Sequence, residues 1–280
     1  MADQLITTGV EATAIVPELW SSRFYDVLLA ELPFNASVSR DYEGEVSDLG
    51  DIVNISTIPE FSQATELNEG ARNDADAVTT TKQQLVINKR LVKDFIVTKR
   101  AQLQSLPMMD KLREHAVYAI MKKMQSIIIE TIVPSASAPD HDIAFDSSTT
   151  LQLADILEAK ELLDSQDVPQ GERKMITGVS QYNDLFNVSG FTSRDFIPAG
   201  SPLTQGAIQT PVMGFEAMMT SELGNVAYAF HPEFMTMAIQ DDLSISVFDL
   251  GNDGVRASRV NVDLLFGLKQ LDDKRVVKIS

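Results

Sequence analysis

Between Gly50 and Arg100 the chain alternates apolar and polar residues with a period of two, the signature of β-strands rather than helices. The outgoing run Asp51–Ile58 sets Val53 and Ile55 on one face and Ile52, Asn54, Ser56 and Ile58 on the other. The return run Lys82–Val97 alternates Leu85, Ile87, Lys89, Leu91, Lys93 and Phe95 against Val86, Asn88, Arg90, Val92, Asp94 and Ile96. At about 3.3 Å per residue the return run spans about 50 Å, against the usual strand of about five or six residues. The pattern predicts one long two-stranded hairpin. Both of its faces are mixed, and an isolated ribbon of two strands is at best marginally stable in water. Nothing nearby in the sequence supplies a covering surface, so a neighbouring copy of the same chain is expected to supply it.

Helical periodicity appears on either side. Trp20, Phe24, Val27 and Leu28 share a face of a short helix predicted from Pro17 to Leu32, closed by Pro33. Ser105 can cap a much longer helix that starts near Pro107 and stops before Pro134. Its stripe is Met109, Leu112, Ala116, Ile120, Met124 and Ile127, widened by Val117, Ile128 and Ile132. About 26 residues at 1.5 Å each make a spine roughly 40 Å long. A polar linker, Ser135–Ser148, precedes a helix predicted from Thr149 or Thr150, with Leu153, Ile156, Leu157 and Leu163 apolar and Pro169 beyond its end.

Lys174–Gly178 reads as a buried strand, and Ser180 as the cap of a short helix carrying Tyr182, Leu185 and Phe186. Residues 190–213 are loop-rich. Strands then dominate: Phe215–Thr220, Val226–Phe230, Met235–Ile239, Ser244–Phe248, Arg256–Leu264 and Arg275–Ile279, with a hairpin turn at Asn252-Asp253-Gly254. The fold class is α+β, helices early and strands late.

Composition narrows the function. With 280 residues, 44% of them hydrophobic, the chain can bury a sizeable core. It has no cysteine, so no disulfide frame and no thiolate chemistry, as suits an intracellular, reducing site of synthesis. The N-terminus lacks the basic start and apolar core of a secretory signal, and the run around Ile127–Ile129 is too short to span a bilayer. A net charge of −17 argues against nucleic-acid binding as the main task. It fits a plain acidic protein or a surface that must sit beside DNA without sticking.

The catalytic inventory is poor. Of three histidines, His115 lies on the long helix and His231-Pro232-Glu233 reads as a turn. Asp140-His141-Asp142, with Asp146, is the one cluster of metal-ligand types, in a linker where acidic turn residues are expected anyway. The carboxylate pairs Asp241-Asp242 and Asp272-Asp273 read as solvated strand ends. No phosphate loop, dinucleotide fingerprint, H-E-x-x-H or G-x-S-x-G motif is present. No catalytic, cofactor or metal residues are assigned.

The polar tip, Phe61–Thr81, carries Glu66, Glu69, Arg72, Asp74 and Asp76 around Gly70. A loop of that length is more often a contact surface than idle. With Lys82, Arg90 and Lys93 on the return strand it forms the expected inter-subunit contact, and Trp20 and Phe24 the expected contact of the arm.

This order of parts resembles the major capsid proteins of tailed bacteriophages, with the Hong Kong ninety-seven-type fold. The resembling runs are Gly50–Ile55, Leu85–Val92, Pro107–Leu112 continuing to Met124, Thr177–Phe186, Gly206–Phe215, Ala229–Pro232 and Asp263–Gly267. The resemblance implies an N-terminal arm (1–47), an extended loop (48–100), a spine helix with the first part of a peripheral domain (101–148), an axial domain (149–235), and C-terminal strands returning to both domains (236–280). It implies an icosahedral shell of hexamers and pentamers around double-stranded DNA, with a portal and, in some members, decoration proteins. Some members cross-link through a lysine on the extended loop, but Phe61–Thr81 contains none, so that reaction is not carried over. Nothing long or helix-rich precedes the arm, so a separate scaffolding protein is expected. A cellular nanocompartment shell of the same architecture is the alternative, and a small hydrolase using Asp140, His141 and Asp142 a third reading. The expected location is the virion, with assembly in the host cytoplasm.

Overall fold

The computed structural model describes residues 31–45, 52–58, 64, 66, 68, 69, 72, 78–99, 106–188, 208, 211, 213–250 and 256–280. In chain order the elements are α1 (Pro33–Ser37), β1 (Ile52–Thr57), β2 (Thr81–Thr98), α2 (Leu106–Thr131) and β3 (Asp142–Ile143). They continue with α3 (Leu153–Ser165), β4 (Lys174–Thr177), α4 (Val179–Leu185), β5 (Glu216–Met219) and β6 (Ala227–Phe230). The last three are β7 (Met235–Asp249), β8 (Ala257–Gln270) and β9 (Val276–Ile279). The strands form two sheets, ordered β1-β2-β8-β7 and β3-β9-β6-β4-β5.

The first sheet is antiparallel throughout. β1 covers only the first part of β2, from Thr57 opposite Thr81 to Ile52 opposite Val86. From Ile87 onward β2 pairs instead with β8, ending at Thr98 opposite Ala257. This corrects the expectation of a ribbon with nothing of its own to lie on. The return strand is the second strand of a four-stranded sheet, and its partner lies far away in sequence.

One extra residue makes the exchange possible. The β2–β8 register shifts between Ile87 and Lys89, and a bulge of one residue reverses the face that successive side chains serve. Below the bulge, Leu85 and Ile87 pack with Ile55, Ala238 and Leu265. Above it, Leu91 and Phe95 pack on the opposite side of β8, where Val262, Leu264 and Phe266 meet α2. The single return strand therefore belongs to two cores. Gly267 sits opposite Ile87, and a Cβ there would lie 2.7 Å from the Val86 carbonyl oxygen, so only glycine permits this approach.

α2 is the spine expected from the sequence. Ala116, Ile120, Met124, Ile128 and the following Ile132 are buried in the core that the helix forms with β2, β8 and α1. Farther along the same core Phe34 of α1 stacks on Phe230 (centroids 5.9 Å apart) and meets Tyr228 edge-on (6.1 Å). Pro33 is thus the first residue of α1, where its missing N–H costs nothing. Residues 17–30, including Trp20 and Phe24, lie outside the described residues, as do Ser105 and the 252–254 turn.

The second sheet has α3 and α4 on one face, where Ile156, Ala159, Leu163 and Leu185 bury against Met175, Ala229 and Val277. Its other face, with Ile176, Tyr228 and Val276, belongs to the spine's core. One buried link and one surface link fix the spine to the edge of this sheet. The Gln125 amide donates to the Thr220 hydroxyl (3.0 Å), and Lys122 meets Glu222 (3.0 Å).

Smaller corrections have local causes. α3 begins at Leu153, not at Thr149 or Thr150, because Gln152 and Asp155 form a reciprocal capping box. Leu157 on this helix faces solvent. Ser180 lies inside α4, whose cap is Gly178; a Cβ at Gly178 would sit 2.0 Å from the Gly224 carbonyl oxygen. The strands expected at Met235–Ile239 and Ser244–Phe248 are one strand, irregular where Asp241-Asp242 interrupts it.

Two stability predictions result. Gly178→Ala meets the Leu223–Gly224 backbone and the Gln181 side chain and should cost at the upper end of the about 1–3 kcal/mol typical of overpacking. Phe34→Ala, which empties the aromatic stack, should cost about 3–5 kcal/mol. Denaturant midpoints of the soluble subunit measure both, and wild-type midpoints would contradict the packing described.

Candidate assembly surfaces

The residues expected to touch neighbours divide into three groups. Glu66, Glu69 and Arg72 are exposed on the loop between β1 and β2, and Lys82 is exposed at the foot of β2 opposite Ser56. Asp74 and Asp76, like Trp20 and Phe24, lie outside the described residues. Arg90 and Lys93 sit higher on β2. Arg90 is already engaged, because its guanidinium forks onto Asp263 of β8 within the same chain. That hydrogen bond holds the Asp263 carboxyl below the usual carboxylate range. Asp94 and Arg259 form a second diagonal pair on the same face. Arg90 is thus a cross-strand clasp of its own sheet, a role its sequence position could not reveal. Lys93 is exposed and, with Lys99 and Arg256 at the same end of the sheet, has no carboxylate partner among the described residues.

The end of this sheet shows what sequence reasoning missed. Ile96 is 62% exposed, and on β7 Ile245, Val247 and Phe248 are 46%, 53% and 55% exposed. Phe248 lies opposite Arg259 and so shares a face with Ile96, while Ile245 and Val247 stand beside Val262 and Val260 on the other face. β7 is the outermost strand of this sheet among the described residues, and Ser39 bridges Thr236 near its start. Edge strands normally carry a charge, a proline or a bulge that blocks further pairing. The outer half of β7, Ser244-Ile-Ser-Val-Phe248, has none of these. The signal was present as an uncharged β-prone run between Asp242 and Asp249. Exposure on both faces could not be read without knowing the sheet order.

No reaction centre is assembled by the candidate chemistry. His141 is buried, whereas Asp140 and Asp142 point to solvent, and Asp142 is held by Lys278 at 3.0 Å. Among the described residues no three His, Cys, Asp or Glu side chains converge. His115 is half-buried on the spine, and His231 is buried in the turn before β7. A cleft of about 470 Å³ opens beneath β1, between Tyr42, Ile55, Ile58 and Leu271. On its wall Arg275 bridges Glu233 (2.5 Å) and Asp272 (3.2 Å), so these charges are paired with one another. No helix among the described residues is long and apolar enough to cross a membrane.

Comparison with known proteins gives this architecture a family. No curated protein matches the chain. Among solved structures, one from Mycobacterium phage Che8 is 23% identical with a TM-score of 0.75, covering 95% of this chain and 97% of that one. The capsid asymmetric unit of cyanophage Pam1 is 13% identical with a TM-score of 0.75, covering 100% of this chain and 98% of that one. The mature capsid of bacteriophage PhiM1 is 11% identical with a TM-score of 0.70, over 95% and 91% of the two chains. At these identities the likeness is one of fold, and it covers nearly the whole length. The model of the family described as phage capsid protein matches residues 63–280, which favours a phage shell over a cellular nanocompartment. The chain therefore belongs to the phage capsid protein family and is a major capsid protein of the α+β capsid fold, which assembles in many copies to form the shell of a phage head.

Proposed function

We propose that this capsid protein acts by contact alone, with no enzymatic step, and that its icosahedral shell of hexamers and pentamers is held by non-covalent burial. The reading is carried by the outer half of β7, an outermost strand segment with no charge, proline or bulge to block pairing and with apolar side chains exposed on both faces. In a shell the nearest surfaces are other copies, and an extended segment of a neighbour would satisfy both. Charge supports the choice of partner. The loop tip carries Glu66 and Glu69 with Asp74 and Asp76 against Arg72, while Lys93, Lys99 and Arg256 gather at the far end of the sheet. One copy's acidic tip thus complements a neighbour's basic sheet end. The arm, with Trp20 and Phe24, reaches a further neighbour, and the axial domain meets its copies about the five- and six-fold centres. Heterologous contacts of this kind can close on a shell when each copy reaches the next.

The lysine-free tip leaves the shell without the loop cross-link of some relatives. A separate scaffolding protein, a portal and in some particles decoration proteins complete assembly in the host cytoplasm. In the virion the acidic chain encloses double-stranded DNA without binding its sequence; the charge of −17 keeps the wall from adhering to phosphate.

Two variants test this reading. Ile245→Lys with Val247→Lys changes exposed positions only, so the soluble subunit should keep its stability to within about 0.5 kcal/mol. Closed shells should nevertheless disappear from negative-stain micrographs and sedimentation profiles. Deleting Ser62–Thr80 should preserve the circular dichroism of the core and also prevent closure. Normal particles from either variant would refute the contacts assigned to that segment.

A further inference from the structure

Among the described residues the chain crosses between its two sheets at three places, and the crossings lie side by side. β6 passes to β7 through His231–Phe234, β8 passes to β9 through 271–275, and the segment after α2 reaches β3 through 132–141. Backbone bonds bind them into one joint. The Leu271 and Asp272 N–H groups donate to the Phe234 carbonyl (2.9 and 3.2 Å), and His231 N–H donates to the Arg275 carbonyl (3.1 Å). Ser135 N–H donates to the Asp273 carbonyl (3.1 Å), and Lys278 N–H to that of His141 (2.8 Å). The Gln270 amide grips the Val133 backbone from both sides, at 2.6 and 2.9 Å.

Of the chain's three histidines, two stand inside this joint. His141 is 1% exposed, and neither ring nitrogen has a hydrogen-bond partner. His231 is 6% exposed, and its Nδ1 accepts the Glu233 N–H at 3.4 Å. The charges around each are divided. The Pro139 backbone, Asp273 and Asp140 favour a proton on His141, Lys274 opposes it, and Asp142 is already paired to Lys278. Glu233 and Glu172 favour a proton on His231, Arg275 and Arg173 oppose it, and Glu233 is already held by Arg275. A proton on His231 Nδ1 would also turn the acceptor of the Glu233 N–H into a second donor.

We propose that this joint is a proton-operated catch: its backbone bonds hold firmly while His141 and His231 stay neutral and buried, and protonation of both in mildly acidic solution loosens it. The sign follows from burial, which holds both imidazoles below their ordinary value of 6.5 in the closed joint. An opened joint exposes them and takes up protons more readily, so closure is fully favoured above about 6.5 and weakens as pH falls through that value. Each proton taken up on opening raises the opening constant by up to about tenfold per pH unit, and two raise it by up to about a hundredfold.

Hydrogen exchange of the full chain, as free subunit and as shell, tests this between pH of about 7 and 5, corrected for intrinsic rates, in the range where histidine titrates. Peptides containing Phe234–Met235 and Leu271–Lys278 should lose protection steeply in the wild type. They should not in a variant carrying His141→Phe and His231→Asn, in which the asparagine oxygen keeps the cap. An equal loss in that variant, or no loss in the wild type, overturns the proposal. Should the variant not fold, the wild-type imidazole resonances decide. Two of the three histidines titrating below 6.5 support the catch, and both joint histidines titrating at or above that value refute it.

Discussion

A strand as long as β2 exposes hydrogen-bonding groups along two edges, and each must find a partner in protein or water. Here most of one edge is met by β8, from Ile87 to Thr98, and the foot by β1. That ladder makes the return strand part of the four-stranded sheet rather than an appendage. It places Leu91 and Phe95 in the spine's core, and the bulge at its lower end sends Leu85 and Ile87 into a second, smaller core with Ile55. Without β8, the return strand would be half of a ribbon that cannot hold itself together.

With the inner strands laddered together, the exposed apolar side chains of this sheet collect at its margin. β7 closes β8 on the far side and is the outermost strand among the described residues, with Ile245, Val247 and Phe248 exposed. The ion pairs Arg90–Asp263 and Asp94–Arg259 lie across the ladder and hold the sheet in register, so they are internal fastenings more than docking charges. The spine backs this sheet along its length and fastens the second sheet through Gln125–Thr220 and Lys122–Glu222. A subunit built this way is internally complete but has extended, sticky margins, as a shell requires.

Much of this was legible in the sequence, because period and punctuation are local. The spine, with Pro107 at its start and Pro134 after its end, came out as Leu106–Thr131, and the buried strand at Lys174 as Lys174–Thr177. The partner of β2 was not legible. Alternation reveals that a strand has two faces, but not which distant strand completes its ladder, and β8 lies more than a hundred and fifty residues away. The same separation hid the Arg90–Asp263 pair, so a residue expected to greet a neighbour proved to bind its own sheet. The bulge between Ile87 and Lys89 carries no glycine or proline to announce it. Ser180 was misplaced because Gly178 is required by the approach of Gly224, a tertiary contact invisible to capping rules.

The central claim is that the return strand is ordered by its own chain, and that neighbours are needed only at the margins. Amide hydrogen exchange on dilute, strictly monomeric subunits tests it most directly. The account predicts strong protection for β2 from Lys89 to Val97 in the monomer, equal to that of β8, with β7 from Ser244 to Phe248 gaining protection only in the shell. A β2 that exchanges freely in the monomer and becomes protected only on assembly would contradict it.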